Sequence, residues 1–173
     1  MAITIDIRAS YTLVTHSASE KKTGTKTLDI AVTANTLNRK YYRYNLPEAD
    51  SLNPATDLKY LYPGLKLLAT EETKTQHPVD FIAKYRKETQ PGDVLIVRSP
   101  GEEAGILEAL DDAGLLSTFS ELSFMGHEEP LFEGGQPAKQ TLKWLQEKGF
   151  DLQTIDQHQY SCLPAYKILS HAR

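Results

Sequence analysis

The chain has 173 residues, of which 40% are hydrophobic and 24% charged, a balance that folds around a core instead of staying disordered. Lys and Arg total 19 against 23 Asp and Glu, so the formal charge is −4, which argues against a whole-surface grip on nucleic acid. The longest strongly apolar run, Val94–Val97, falls far short of the ~20 residues of a membrane helix.

The N-terminal stretch MAITIDIRAS has neither the basic start nor the apolar run of a secretion signal. The lone Cys162 forms no internal disulfide and no multi-thiolate metal site. Together these features predict a single-domain cytoplasmic protein that does not enter membranes. The domain changes character near residue 77, from a β-rich half over 1–76 to a half over 77–173 in which helices and strands alternate.

In chain order, Ile3–Ile7 alternates apolar and polar residues, the period of a half-buried strand, and Tyr11–Thr15 is a second strand. Ser19–Gly24 is a polar turn, followed by a strand over Thr27–Thr33. Arg39–Leu46 begins RKYYRY and is followed by the loop Pro47–Asp57. After the Pro63-Gly64 turn comes a short strand, Leu65–Ala69.

The second half begins with Pro78 in the first turn of a helix whose face carries Phe81, Ile82 and Tyr85. Pro91-Gly92-Asp93 turns the chain into Val94–Val97, whose β-branched apolar run suits a strand buried on both faces. A helix over Glu102–Leu116, a strand at Glu121–Met125 and a helix over Pro137–Lys148, stopped by Gly149, follow. Phe150–Ile155 and Leu163–Leu169 form the arms of a closing antiparallel hairpin. The expected fold is α/β, with a mixed, largely parallel sheet and flanking helices.

Three texts in this half, DVLIVRSPGEEAGIL, FSELSFMGH and LKWLQEKGFDL, have the order and spacing of motifs in one enzyme family. Over Val79–Leu152 the chain resembles the C-terminal half of FkbM-type S-adenosylmethionine-dependent methyltransferases, whose sheet is Rossmann-like. Gly101 and Glu103 match the Gly and last Glu of the family's K-x-D-x-E-G-x-E motif, while Ile96, Arg98 and Pro100 replace its Lys, Asp and first Glu. Glu121 and His127 match the ends of its E-L-x-F-E-x-H motif, and Met125 replaces the inner Glu.

Such enzymes hold the cofactor on a glycine-rich strand-to-helix loop, and none precedes Val79 here. The resemblance therefore implies a derived relative that has lost its cofactor-binding half, with the N-terminal strands or a second subunit covering the exposed edge of Val94–Val97.

Arg98, Ser99 and Gly101, between a strand and a helix start, are the candidate ligand-binding residues, suited to a phosphate or carboxylate. The competing reading is a capped helix start with Arg98 salt-bridged to Glu103. Glu103, Glu121 and His127 are the candidate catalytic residues, for proton transfer on a polar substrate. Arg39–Tyr44 interleaves basic and aromatic residues as single-strand nucleic-acid binders do, or as an ordinary aromatic strand does.

Asp6 stands where nuclease-type folds carry a metal-binding acid, without a partner acid at Arg98. Cys162 with His158 and His171 has the outline of a nucleophile pair, against the plainer reading of a small residue opening a strand. No metal site is expected. The leading expectation is a methyltransferase-like module without catalysis, forming a homo-oligomer or binding a protein partner. The alternative is an active S-adenosylmethionine-dependent enzyme, and the weaker one a nucleic-acid binder.

Overall fold

The computed structural model describes residues 2–17, 24–35, 39–87, 90, 92–156 and 165–170. Alternating isoleucines make the first strand, β1 (Ala2–Arg8), with Ile3, Ile5 and Ile7 buried. The chain reverses at Ala9-Ser10, where the Arg8 N–H donates to the Tyr11 carbonyl at 2.9 Å, and returns as β2 (Thr12–Ser17). The strand expected over Thr27–Thr33 is instead two, β3 (Gly24–Leu28) and the short β4 (Ala31–Val32), with the break at Asp29-Ile30.

Next come β5 (Arg39–Tyr44), α1 (Leu58–Leu61), β6 (Leu67–Thr73) and the short β7 (Thr75–Gln76). The remaining elements are α2 (Pro78–Tyr85), β8 (Val94–Arg98), α3 (Glu103–Asp112), β9 (Glu121–Met125), α4 (Ala138–Glu147), β10 (Phe150–Asp156) and β11 (Ala165–Ser170). α3 stops short of the expected Leu116 because Gly114 takes a left-handed φ of 68° and the chain tightens into a 3-10 turn at Leu116–Thr118.

The main sheet has the order β10-β11-β9-β8-β1-β2-β3. It is α/β and mixed, but only partly parallel: among the described strands of this sheet, parallel pairing is confined to β1–β8 and β8–β9. The largely parallel expectation fails because β1, β2 and β3 are joined by reversals, which make an antiparallel meander. At the other end β11 lies antiparallel between β9 and β10.

β8 is therefore an interior strand, covered on one side by β1 and on the other by β9. The N-terminal strands supply the cover that the sequence demanded, so this edge offers no interface to a second subunit. Cys162, His158 and His171 lie outside the described residues.

The main core gathers Ile3, Ile5 and Ile7 with Leu95, Val97, Leu122 and Phe124, and α2, α3 and α4 all contribute to it through Phe81, Ile106, Leu107, Ala138 and Leu145. Trp144 packs at its margin. The connections from β1 to β8 to β9 advance in one direction, and crossovers of the usual right hand then put their helices on one face. On the other face Thr4, Val94, Ile96 and Ser123 are half-buried and belong to neither core.

A second, smaller core of Tyr44, Ala49, Ala55, Leu58, Leu131 and Phe132 joins the segment around β5 to the loop after β9. Beneath the sheet, Asp93 is fully buried and accepts from Arg86 Nε at 2.6 Å, from the Ile3 N–H at 2.9 Å and from the Gln90 N–H at 3.0 Å. The Arg86 guanidinium stacks 4.1 Å over the Phe119 ring and donates to the Thr118 carbonyl at 2.7 Å. This pair ties the end of α2 to the starts of β1, β8 and β9.

Candidate functional site

The parallel strands β8 and β9 end side by side, and the loops that follow them border a shallow, open hollow. It is lined by Gly101, Glu103, Gly126, His127, Phe132 and Gln136, among others. This is the end of an open α/β sheet where ligands usually bind. Its cavity volume is about 20 Å³, room for a water-sized group, and the rest of the hollow is open to solvent.

Gly101 turns the chain into α3 with a φ of 82°, a conformation that costs glycine little. A side chain here would also meet Asn53 and Phe132 at 3.0 Å. The Gly101 N–H donates to Glu103 Oε2 at 2.8 Å, folding that carboxyl back over the helix start. Burial pushes the Glu103 carboxyl up to about 8, helped by the charge of neighbouring Glu102 and opposed by the backbone N–H groups of Glu103 and Gly101. At neutral pH it is largely a carboxylic acid, able to donate a hydrogen bond into the hollow.

Across the hollow, His127 Nδ1 accepts the Glu129 N–H at 3.1 Å, so the neutral ring carries its proton on Nε2. The His127 carbonyl in turn accepts the Ala138 N–H at 2.7 Å, which anchors α4 to this loop. The loop is pinned from outside as well: the Thr56 N–H reaches the Leu131 carbonyl at 2.9 Å, and the Glu133 N–H reaches Pro54 at 3.0 Å. The site thus combines two proton-bearing side chains with a rigid apolar wall. It suits a small polar ligand or a single proton transfer.

Glu102 is the centre of a buried network behind the hollow. Its carboxylate accepts from Arg39 Nη2 and from Asn53 Nδ2, both at 2.8 Å, and from the Thr33 hydroxyl. The same Arg39 nitrogen reaches Asn53 Oδ1 at 2.6 Å, so β4, β5 and α3 are locked together. No local pattern pairs residues so far apart in the chain, and the sequence reading missed this network.

Of the candidate residues, the fold brings Gly101, Glu103 and His127 to the hollow. Glu121 is a correction: it is the first residue of β9, at the far end of the strand from His127. Arg98 is not among the lining residues and does not pair with Glu103. Its Nε lies 3.5 Å from Asp6 Oδ1, because the parallel register sets Arg98 beside Arg8 at the ends of β8 and β1. Asp6 also accepts from Arg8 Nη2 at 3.0 Å, so the acid considered as a metal ligand sits between two guanidinium groups. Ser99 is fully buried, and its hydroxyl has no hydrogen-bond partner among the described residues.

Five of the six side chains of RKYYRY are engaged within the fold, and Lys40 is exposed. Arg39 holds Glu102, Arg43 pairs with Glu71 at 2.9 Å, and Tyr42 and Tyr44 join the smaller core. The Tyr41 hydroxyl donates to Asp50 at 2.8 Å, and burial pushes it up to about 12. Among the described residues, no three His, Cys, Asp or Glu side chains converge as a metal site, and no helix is long and apolar enough to cross a membrane.

No family model matches the chain, and comparison with curated proteins and with solved structures likewise returns no significant match.

Proposed function

We propose that the chain is a methyltransferase-like binding module that works without S-adenosylmethionine and takes a small polar ligand in the hollow between Glu103 and His127. One observation carries this reading. Where a methyltransferase-type sheet would continue from its first strand into a glycine-rich loop and a helix, β1 turns back at Ala9-Ser10 into β2. Arg8, Asp6 and Arg98 fill the strand ends there, with Arg8 Nη1 on the Tyr11 hydroxyl at 3.1 Å.

The run from β8 through α3, β9 and α4 to the antiparallel pair β10–β11 follows the order that the resemblance to FkbM-type enzymes implies. Calorimetric titration with S-adenosylmethionine and S-adenosylhomocysteine tests the proposal. No heat of binding is expected up to millimolar ligand, and micromolar affinity overturns it.

A second reading, an enzyme that retains proton-transfer chemistry, is favoured by one pairing: the raised Glu103 carboxyl and the Nε2–H tautomer of His127 line one hollow. It predicts that a substrate turned over by the wild-type chain is not turned over by Glu103→Gln, which keeps the fold.

A further inference from the structure

Among the described residues, the large hydrophobic side chains that stand exposed are Tyr60, Leu61, Tyr62, Leu67 and Leu68, at 83%, 49%, 38%, 53% and 62%. All five fall between positions 60 and 68, where α1 turns into β6. Apolar residues exposed singly are ordinary on a protein surface, but a cluster of them marks a contact site.

The fold builds this cluster in two ways. Leu58 is fully buried in the smaller core and Leu65 packs against it, and the residues from Lys59 through Gly64 between these anchors are all exposed. In β6 the register with β5 shifts between the pairs Tyr44–Leu67 and Arg43–Ala69. Leu68 is thus the extra residue of a bulge, and the alternation that sends neighbouring residues to opposite faces is interrupted there.

The turn itself is held stiffly by Asn45. Its Nδ2 donates to the Gly64 carbonyl at 3.0 Å, its Oδ1 accepts the Lys66 N–H at 2.7 Å, and its own N–H donates to the Lys66 carbonyl at 3.0 Å. The apolar side chains are therefore presented without the ordering cost of a loose loop.

Charge points to the occupant. From Leu58 through Thr70 the chain carries two lysines, Lys59 and Lys66, and no acid, although its formal charge is −4 overall. Asp57 stands just before α1, and Glu71 and Glu72 lie about 14 Å or more along the strand from Leu67. Those two acids each face a cation of β5: Arg43 lies 2.9 Å from Glu71, and Lys40 is the register partner of Glu72. A protein that took this convex tip would need an apolar pocket rimmed with acids. An anionic lipid surface meets both features without such a fit, since the hydrocarbon edge takes leucines, the interface takes tyrosine rings and the phosphates take lysines.

We infer that the turn from Tyr60 to Leu68 is a peripheral anchor for an anionic lipid surface. Its leucines insert, and Lys59 and Lys66 sit at the lipid phosphates. The contact is superficial, with no helix crossing the bilayer, and the hollow beside Glu103 and His127 takes no part in it. The cofactor titration therefore tests the proposed function, and the experiment below tests only the tip.

The full chain is co-sedimented with vesicles of phosphatidylcholine and phosphatidylserine, and with vesicles of phosphatidylcholine alone. Saturable binding to the anionic vesicles is expected, weakened by added salt. It should fall about thirtyfold on the neutral vesicles, or when Lys59→Ala and Lys66→Ala are combined, since both changes remove the same two attractions. Leu67→Ser combined with Leu68→Ser should weaken it about as strongly, by removing the inserted side chains. All four substituted residues are exposed, so these variants keep the core. A chain that ignores the anionic vesicles overturns the inference and leaves the tip to a protein partner. Binding retained by both double variants overturns it too. So does sedimentation of the wild-type chain as a dimer that the leucine variant dissolves, which would make a second copy the occupant.

Discussion

Exchanging Glu103 for Gln isolates a carboxyl that the fold holds protonated. The folded chain keeps that proton up to about pH 8, whereas the unfolded chain releases it near the ordinary value of 4.5. Between those limits the folded state binds more protons, so this group's contribution to stability is complete below about 4.5 and is lost as pH rises through about 8. At about 1.4 kcal/mol per pH unit the whole interval amounts to about 5 kcal/mol, and partial contact with water at the mouth of the hollow reduces it to ~2–4 kcal/mol.

Gln keeps an acceptor for the Gly101 N–H and has no proton to lose. Urea denaturation of both chains at pH 5, 6, 7 and 8 cancels every other titrating group in the difference. The wild-type chain should lose stability relative to Glu103→Gln across this range by that amount, and a difference that stays flat with pH would refute the reasoning.

Asp93→Asn leaves the buried Arg86 guanidinium without its counter-charge and should cost ~3–5 kcal/mol, read as a fall in the urea midpoint at unchanged slope. Gly126→Ala places a methyl group 2.7 Å from the Ala138 side chain where β9 meets α4, and thermal unfolding should show a loss of ~1–3 kcal/mol. Leu95→Ala, on the helix-covered face, should cost ~2–5 kcal/mol, clearly more than Ile96→Ala on the half-buried face. Equal losses at 95 and 96 would contradict the one-sided placement of the helices.

The strands β1 and β9 and the helices α2, α3 and α4 were legible because their apolar residues repeat at the period of the element they form. β8 was legible as a short continuous apolar run, although Val94 and Ile96 are half-buried, so the strand is not buried on both faces as that run suggested. Gly101, Glu103 and His127 were legible for a related reason: residues just past parallel strands share one end of the sheet. Glu121 was misplaced by the same logic, since the four steps from Glu121 to Met125 span about 13 Å of strand and carry it to the opposite end.

The meander of β1, β2 and β3 was not legible, because alternating residues reveal a strand but not the direction of its neighbour. Nor was the Arg39–Glu102 pair, which depends on how two distant segments pack. RKYYRY shows the converse: a pattern suited to nucleic acid is used for one largely buried salt bridge, one surface salt bridge and part of a small core.

The central claim concerns the ends of β1 and β8, and it is tested most directly by amide NMR of the chain during titration with S-adenosylhomocysteine. The account predicts that the amides of Ser10, Tyr11, Arg98, Ser99 and Gly101 keep their shifts up to millimolar ligand. Saturable shifts clustered on those residues would contradict it, because they would mean that the hairpin at Ala9-Ser10 had rebuilt a cofactor site.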